Sequence, residues 1–128
     1  MDQVERRIED AVETLRSLGA VFAYLHGSRA AGTAAPDADV DIAAYFPGAA
    51  PKSFEVLLPP RVDLVVLNDA PLELCGRIAV SGVLLFDSDP SVRVRWEATT
   101  RKVYFDELPR MQRAHSEFAE TVLHRRGG

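Results

Sequence analysis

Apolar positions fall at helical spacing at the start of the chain and then gather into short runs. Val4, Ile8, Ala11, Val12 and Leu15 recur three and four residues apart. That pattern predicts an amphipathic helix over Asp2–Leu18. Asp2 with Glu5 supplies its N-terminal cap, and Gly19 its stop. Val21–Leu25 has the length of a short buried strand. Ser28–Ala31 reads as one helical turn, and Gly32–Pro36 as a loop. Val40–Phe46 is a second strand. Pro47–Pro60 is rich in Pro and Ala, with at most a helical turn around Phe54–Leu58. Val62–Leu67 is a continuous apolar strand except for Asp63. Pro71–Ser81 reads as a helix whose proline suits the first turn, and Val83–Phe86 as a short strand. Pro90 opens a helix reaching at least Tyr104, and another runs from about Pro109 to His124. Leu108-Pro109 should kink or break the path between them, because a residue before proline is pushed out of helical conformation.

Composition and charge narrow the class. A chain of 128 residues is expected to be a single domain, 1–128, able to bury a core without staples. The lone cysteine, Cys75, leaves no internal disulfide and fits a reducing cytoplasm. No apolar run approaches ~20 residues, so no helical membrane span is expected. The first residues are charged and lack the apolar core of a signal peptide. A net charge of −4 argues against strong nucleic-acid binding. Residues 1–89 carry 7 basic and 14 acidic groups, and residues 90–128 carry 8 and 5. The acidic body suits a bound metal. The mildly basic tail suits an acidic partner or a nucleotide's phosphates, or is simply a solvated helix surface.

The chemistry concentrates in Leu25–Phe46, LHGSRAAGTAAPDADVDIAAYF. Gly27-Ser28 ends the first strand, and Asp39-Val40-Asp41 opens the second ten residues later. Alternate strand residues share a face, so Asp39 and Asp41 lie together while Val40 and Ile42 face the core. Paired carboxylates repel unless a cation sits between them. Hard oxygen ligands of this kind suit Mg²⁺ held jointly with substrate phosphates. Gly27 lets the backbone approach an anion, and the N–H groups of the following turn suit a phosphate. Ser28 fits a phosphate-binding hydroxyl or a helix cap. Arg29 is either a triphosphate-neutralising fork or an exposed arginine. Asp63 interrupts an apolar run where an unpaired charge is costly to bury; a metal or a general-base role explains it, and so does an edge strand facing water. Asp37 reads as a solvated turn residue, Gly32 as a turn glycine, and His26 as a packed strand residue. Without a Cys or His cluster, zinc is not expected. There is no P-loop and no supported Ser–His–Asp or Cys–His set.

The spacing G-S-x10-D-x-D resembles the signature of the DNA polymerase β-like nucleotidyltransferases. Within that group the chain is similar to the minimal nucleotidyltransferases, the MntA-type antitoxins paired with HEPN-domain toxins. Arg61–Asp69, RVDLVVLND, looks like the family's third-carboxylate strand. Ser81–Asp89, SGVLLFDSD, looks like its closing strand, followed by the Arg-rich RVRWEATTRKVYFD. Two departures are Ala38, where many relatives carry Ser, and a short link from Phe46 to Arg61.

The resemblance implies an α+β nucleotidyltransferase fold, a small mixed sheet packed with helices. It implies Asp39, Asp41 and Asp63 as catalytic and Mg²⁺-binding carboxylates, with Gly27, Ser28 and Arg29 on the nucleotide. It implies transfer of AMP from ATP to a tyrosine of a cognate HEPN ribonuclease toxin, silencing it. Two other readings stay open. One is a non-catalytic antitoxin that only covers the toxin; the other is a nucleotidyltransferase acting on a small molecule or RNA. Tyr104, Leu108, Met111, His115, Phe118 and Val122 form an apolar stripe that is either core or a docking face.

Overall fold

The computed structural model describes residues 1–127. Its sheet has four strands in the order β3-β2-β1-β4: β1 is Phe22–His26, β2 Val40–Tyr45, β3 Val62–Val66 and β4 Val83–Asp87. β1 pairs antiparallel with both β2 and β4, while β2 and β3 run parallel. The α-helices are α1 (Gln3–Ser17), α2 (Gly27–Ala31), α3 (Leu72–Ser81) and α4 (Pro90–Gly127).

Strand alternation sends side chains to two faces, and a helical layer covers each. On one face Ala11 and Leu15 of α1 pack against Ala23, Val40, Ile42, Ala44, Val66 and Phe86. The helix presents its apolar positions there because Asp2 fixes its start. The Asp2 carboxylate accepts from Glu5 N–H at 2.8 Å, as the sequence suggests. On the other face Phe22, Tyr24 and Ala43 meet Cys75 and Ile78 of α3, with Val92 and Trp96 of α4 packed alongside. Trp96 lies 5.5 Å from the Phe22 ring and 5.9 Å from Tyr24, so it packs onto the sheet.

The link between β2 and β3 holds one 3₁₀ turn, Ser53–Glu55. It starts before the turn expected at Phe54–Leu58, because Pro59 and Pro60 hold the end of the link extended. Val56 is the buried anchor, and Phe54 and Leu57 stay 85% and 90% exposed.

The break expected at Leu108-Pro109 does not occur. α4 is one helix from Pro90 to Gly127 with Pro109 inside it. Proline there removes the N–H that would bond the carbonyl of Phe105. Phe105 and Pro109 are both exposed, which leaves that carbonyl accessible to water.

The apolar stripe divides along the same helix. Tyr104 packs so closely on Gly76 of α3 that a Cβ there would overlap its ring. Farther along, His115 reaches only Glu73, at 3.7 Å, and Phe118 is 71% exposed. The near end therefore packs against α3, while Phe118 at the far end stays exposed. No helix is long and apolar enough to cross a membrane.

Candidate functional site

The site gathers at one end of the sheet, on the α3/α4 face. His26, the last residue of β1, is the register partner of Asp41 in β2. Asp41 in turn is the register partner of Asp63 in β3. Parallel register partners project from the same face, so the two carboxylates stand side by side. Burial lowers the His26 imidazole below its usual pKa; the Asp41 charge opposes that shift and the Arg77 charge reinforces it.

Gly27 has a positive φ of 72°, a conformation that costs a side-chain-bearing residue ~1–2 kcal/mol. A Cβ at this position would also stand 2.5 Å from Asp41 Oδ2. The glycine thus lets the chain turn from β1 into α2 while its backbone lies against the carboxylate. The carbonyl of Ser28 accepts from Thr33 N–H at 2.9 Å, closing the short α2. The Arg29 guanidinium donates to the carbonyls of Pro36 and Ala38. It therefore clamps the loop that delivers Asp39, and its Nε is buried without a partner among the described residues.

Asp39 carries an ion pair. Its Oδ1 accepts from Arg61 Nε at 3.1 Å, and both side chains are about half exposed. Arg61 itself sits at φ 65°, the one non-glycine residue with positive φ among those described. Its carbonyl accepts from Val40 N–H at 2.9 Å, so this unusual residue joins the starts of β2 and β3.

Among the described residues no three His, Cys, Asp or Glu side chains converge into a ready metal cage. The donor chemistry nonetheless fits Mg²⁺, an ion that binds through one or two carboxylates and completes its shell with water and substrate phosphates. Asp41 and Asp63 are two such carboxylates on adjacent strands.

Several structural residues gave little sign in the sequence. Asn68 accepts from Phe46 N–H at 3.0 Å and donates to the Phe46 carbonyl at 2.7 Å, tying the end of β3 to that of β2. Glu97 accepts from Tyr24 Oη and from Arg93, each at 2.6 Å. Arg93 also pairs with Asp87, so α4 is fastened to β1 and β4. Arg93 and Glu97 pair at i,i+4 on one helix, but Tyr24 lies too far along the chain for any spacing rule to reach it.

Residues 9–91, about two thirds of the chain, match the polymerase beta nucleotidyltransferase family. No curated protein matches the chain at a significant level. Among solved structures, one toxin–antitoxin crystal structure with AMP-PNP aligns with a TM-score of 0.74 at 22% identity, over 88% of this chain and 98% of that one. A complex of tri-AMPylated Shewanella oneidensis HEPN toxin with MNT antitoxin aligns at 0.70 and 20%, over 90% and 98%. A toxin–antitoxin MntA-HepT crystal structure aligns at 0.69 and 19%, over the same shares. At these identities the likeness shows the fold, which agrees with the mixed sheet and its two helical layers. The family match spans α2, β2 and β3 and hence every candidate carboxylate, so the chain belongs to the polymerase beta nucleotidyltransferase family.

Proposed function

We propose that this protein is an antitoxin-type adenylyltransferase that moves AMP from ATP to a tyrosine hydroxyl of a HEPN-domain ribonuclease toxin. The observation that carries the reading is the pairing of Asp41 with Asp63 where Gly27 brings the backbone against Asp41. Support for the partner comes from the similar structures, one containing AMP-PNP and another a tri-AMPylated HEPN toxin bound to an MNT antitoxin.

In this reaction the phenol oxygen attacks the α-phosphorus of ATP. The bond from that phosphorus to the bridging oxygen breaks, and pyrophosphate leaves. Asp63 accepts the phenol proton, a contribution of typically 10²–10⁴-fold. Tyrosine suits this base because its pKa of ~10 makes it an easier acid than an aliphatic hydroxyl. Mg²⁺ bound at Asp39, Asp41 and Asp63 would supply positive charge for the α-phosphate and the leaving pyrophosphate. Asp39 joins that set by giving up Arg61, an exposed pair of the kind worth ~0–1 kcal/mol. Gly27 and Ser28 hold phosphate through the backbone. Arg29 positions the Asp39 loop, which its hydrogen bonds favour over direct contact with the triphosphate.

The test is to incubate the protein with a HEPN-domain toxin, ATP and Mg²⁺, and to read intact mass. The toxin should gain one or more adenylyl groups on tyrosine. An unchanged toxin mass with ribonuclease activity blocked stoichiometrically would favour an antitoxin that acts by binding alone.

A further inference from the structure

A cleft of about 220 Å³ opens between α2 and α3 at Gly27, the residue that abuts Asp41. Its lining includes His26, Gly27, Ala31, Leu74, Arg77 and Ser81. It is smaller than the ~300–1,000 Å³ that a drug-sized ligand occupies, so it suits a small fragment and not a whole nucleoside. Gly27 belongs both to this cleft and to the wall of Asp41, so a ligand lying along the Gly27 backbone would extend from one into the other.

The cations bordering the site are not equally free. Arg61 is paired with Asp39, and Arg29 is committed to two loop carbonyls. Arg77 makes no side-chain hydrogen bond and no ion pair among the described residues, and it is exposed. It lies on α3 and lines the cleft together with Gly27 and His26, and His26 is the register partner of Asp41. An unpaired guanidinium in a cleft that reaches Asp41 through Gly27 is well placed for an anion lying along that backbone, and its planar fork matches phosphate oxygens.

We propose that Arg77 and the α2–α3 cleft form the subsite for the terminal phosphates of the nucleotide and for the pyrophosphate that leaves. The proposal deepens the nucleotidyltransfer reading and rests on it. In the transfer, the bond between the α-phosphorus and its bridging oxygen breaks, and the electron pair departs with the β,γ-phosphates. Arg77 meets that growing negative charge from the side opposite the attacking hydroxyl. The adenosine and α-phosphate stay outside the cleft, so AMP should not sense this arginine.

The experiment is calorimetric titration of the full chain and its Arg77→Ala and Arg77→Lys variants with Mg·ATP, AMP and Mg·tripolyphosphate. Arg77→Ala should weaken ATP and tripolyphosphate about tenfold or more, leave AMP within twofold, and melt like the parent protein. Arg77→Lys should recover part of the loss, because it restores the charge without the fork. An equal loss for ATP and AMP would overturn the subsite, as would unchanged ATP affinity in Arg77→Ala. A parent protein that binds neither ATP nor AMP removes the transfer reading instead. Tripolyphosphate then decides the subsite alone: Arg77-dependent binding keeps it, and no binding overturns it.

Discussion

A side chain at position 27 and the Asp41 carboxylate cannot both occupy their places: a Cβ there would stand 2.5 Å from Asp41 Oδ2. Gly27→Ala therefore tests how tightly the carboxylate is held. The positive φ adds ~1–2 kcal/mol of backbone strain, and Asp41 must swing aside. Displacement of a reacting group by about 1 Å can cost on the order of 10²-fold. The variant should stay folded, melt lower, and transfer AMP about a hundredfold more slowly. Transfer at the parent rate would show that Asp41 does not need this position.

Replacing each aspartate by asparagine separates their roles. Asp39→Asn and Asp41→Asn should abolish Mg²⁺-dependent transfer. Asp63→Asn should lower turnover by about 10²–10⁴-fold with a smaller effect on nucleotide binding, the mark of a general base. Stability without ligand should hold or rise for Asp41→Asn and Asp63→Asn, since the change relieves repulsion between register partners. Asp39→Asn forfeits only an exposed ion pair, ~0–1 kcal/mol. Full activity in all three variants would remove the metal-site assignment.

The Glu97 cluster predicts a pH dependence of stability. Burial pushes the Glu97 carboxyl up, but hydrogen bonds from Tyr24 and Arg93, with the charges of Arg93 and Arg101, outweigh it and hold the carboxyl below its usual value. A carboxyl depressed in the folded state contributes stability above its unfolded pKa, and that contribution is lost as pH falls through the folded value. Glu97→Gln should cost about 1–3 kcal/mol at neutral pH. The gap between parent and variant should then narrow as pH falls below the unfolded value of 4.5. Denaturant unfolding at a series of pH values reads this directly, and a constant gap would contradict it.

The far end of α4 offers a clean test of docking. Phe118 is 71% exposed, so Phe118→Glu should leave the melting temperature unchanged. If this end of the stripe seats the toxin, the same variant should weaken the complex tenfold or more while nucleotide affinity stays constant. Undiminished toxin binding would move the docking surface elsewhere. Met111 is a poorer probe because it is partly buried, and Met111→Glu mixes stability with binding.

Local patterning settled most of the elements, because the signals that make them are local. Period-3.6 spacing and the Asp2 cap defined α1, and the short apolar runs defined the strands around Gly27-Ser28 and Asp39–Asp41. The single charge in an apolar run singled out Asp63. The sequence did not carry what depends on residues distant along the chain. Strand order and register decided that Asp63 stands beside Asp41. The fold also decided that Asp39 pairs with Arg61, 22 residues along the chain. Arg29 donates to loop carbonyls because the Pro36–Ala38 loop folds back to it. Pro109 marked a helix end by its own preference, yet α4 runs on through an exposed stretch where one unbonded carbonyl can face water. Arg77 carries no motif at all; it matters only because α3 packs beside α2 and leaves that cation without a partner. Local propensity fixes which segments form, while the free energy of burying and pairing their side chains fixes which residues meet.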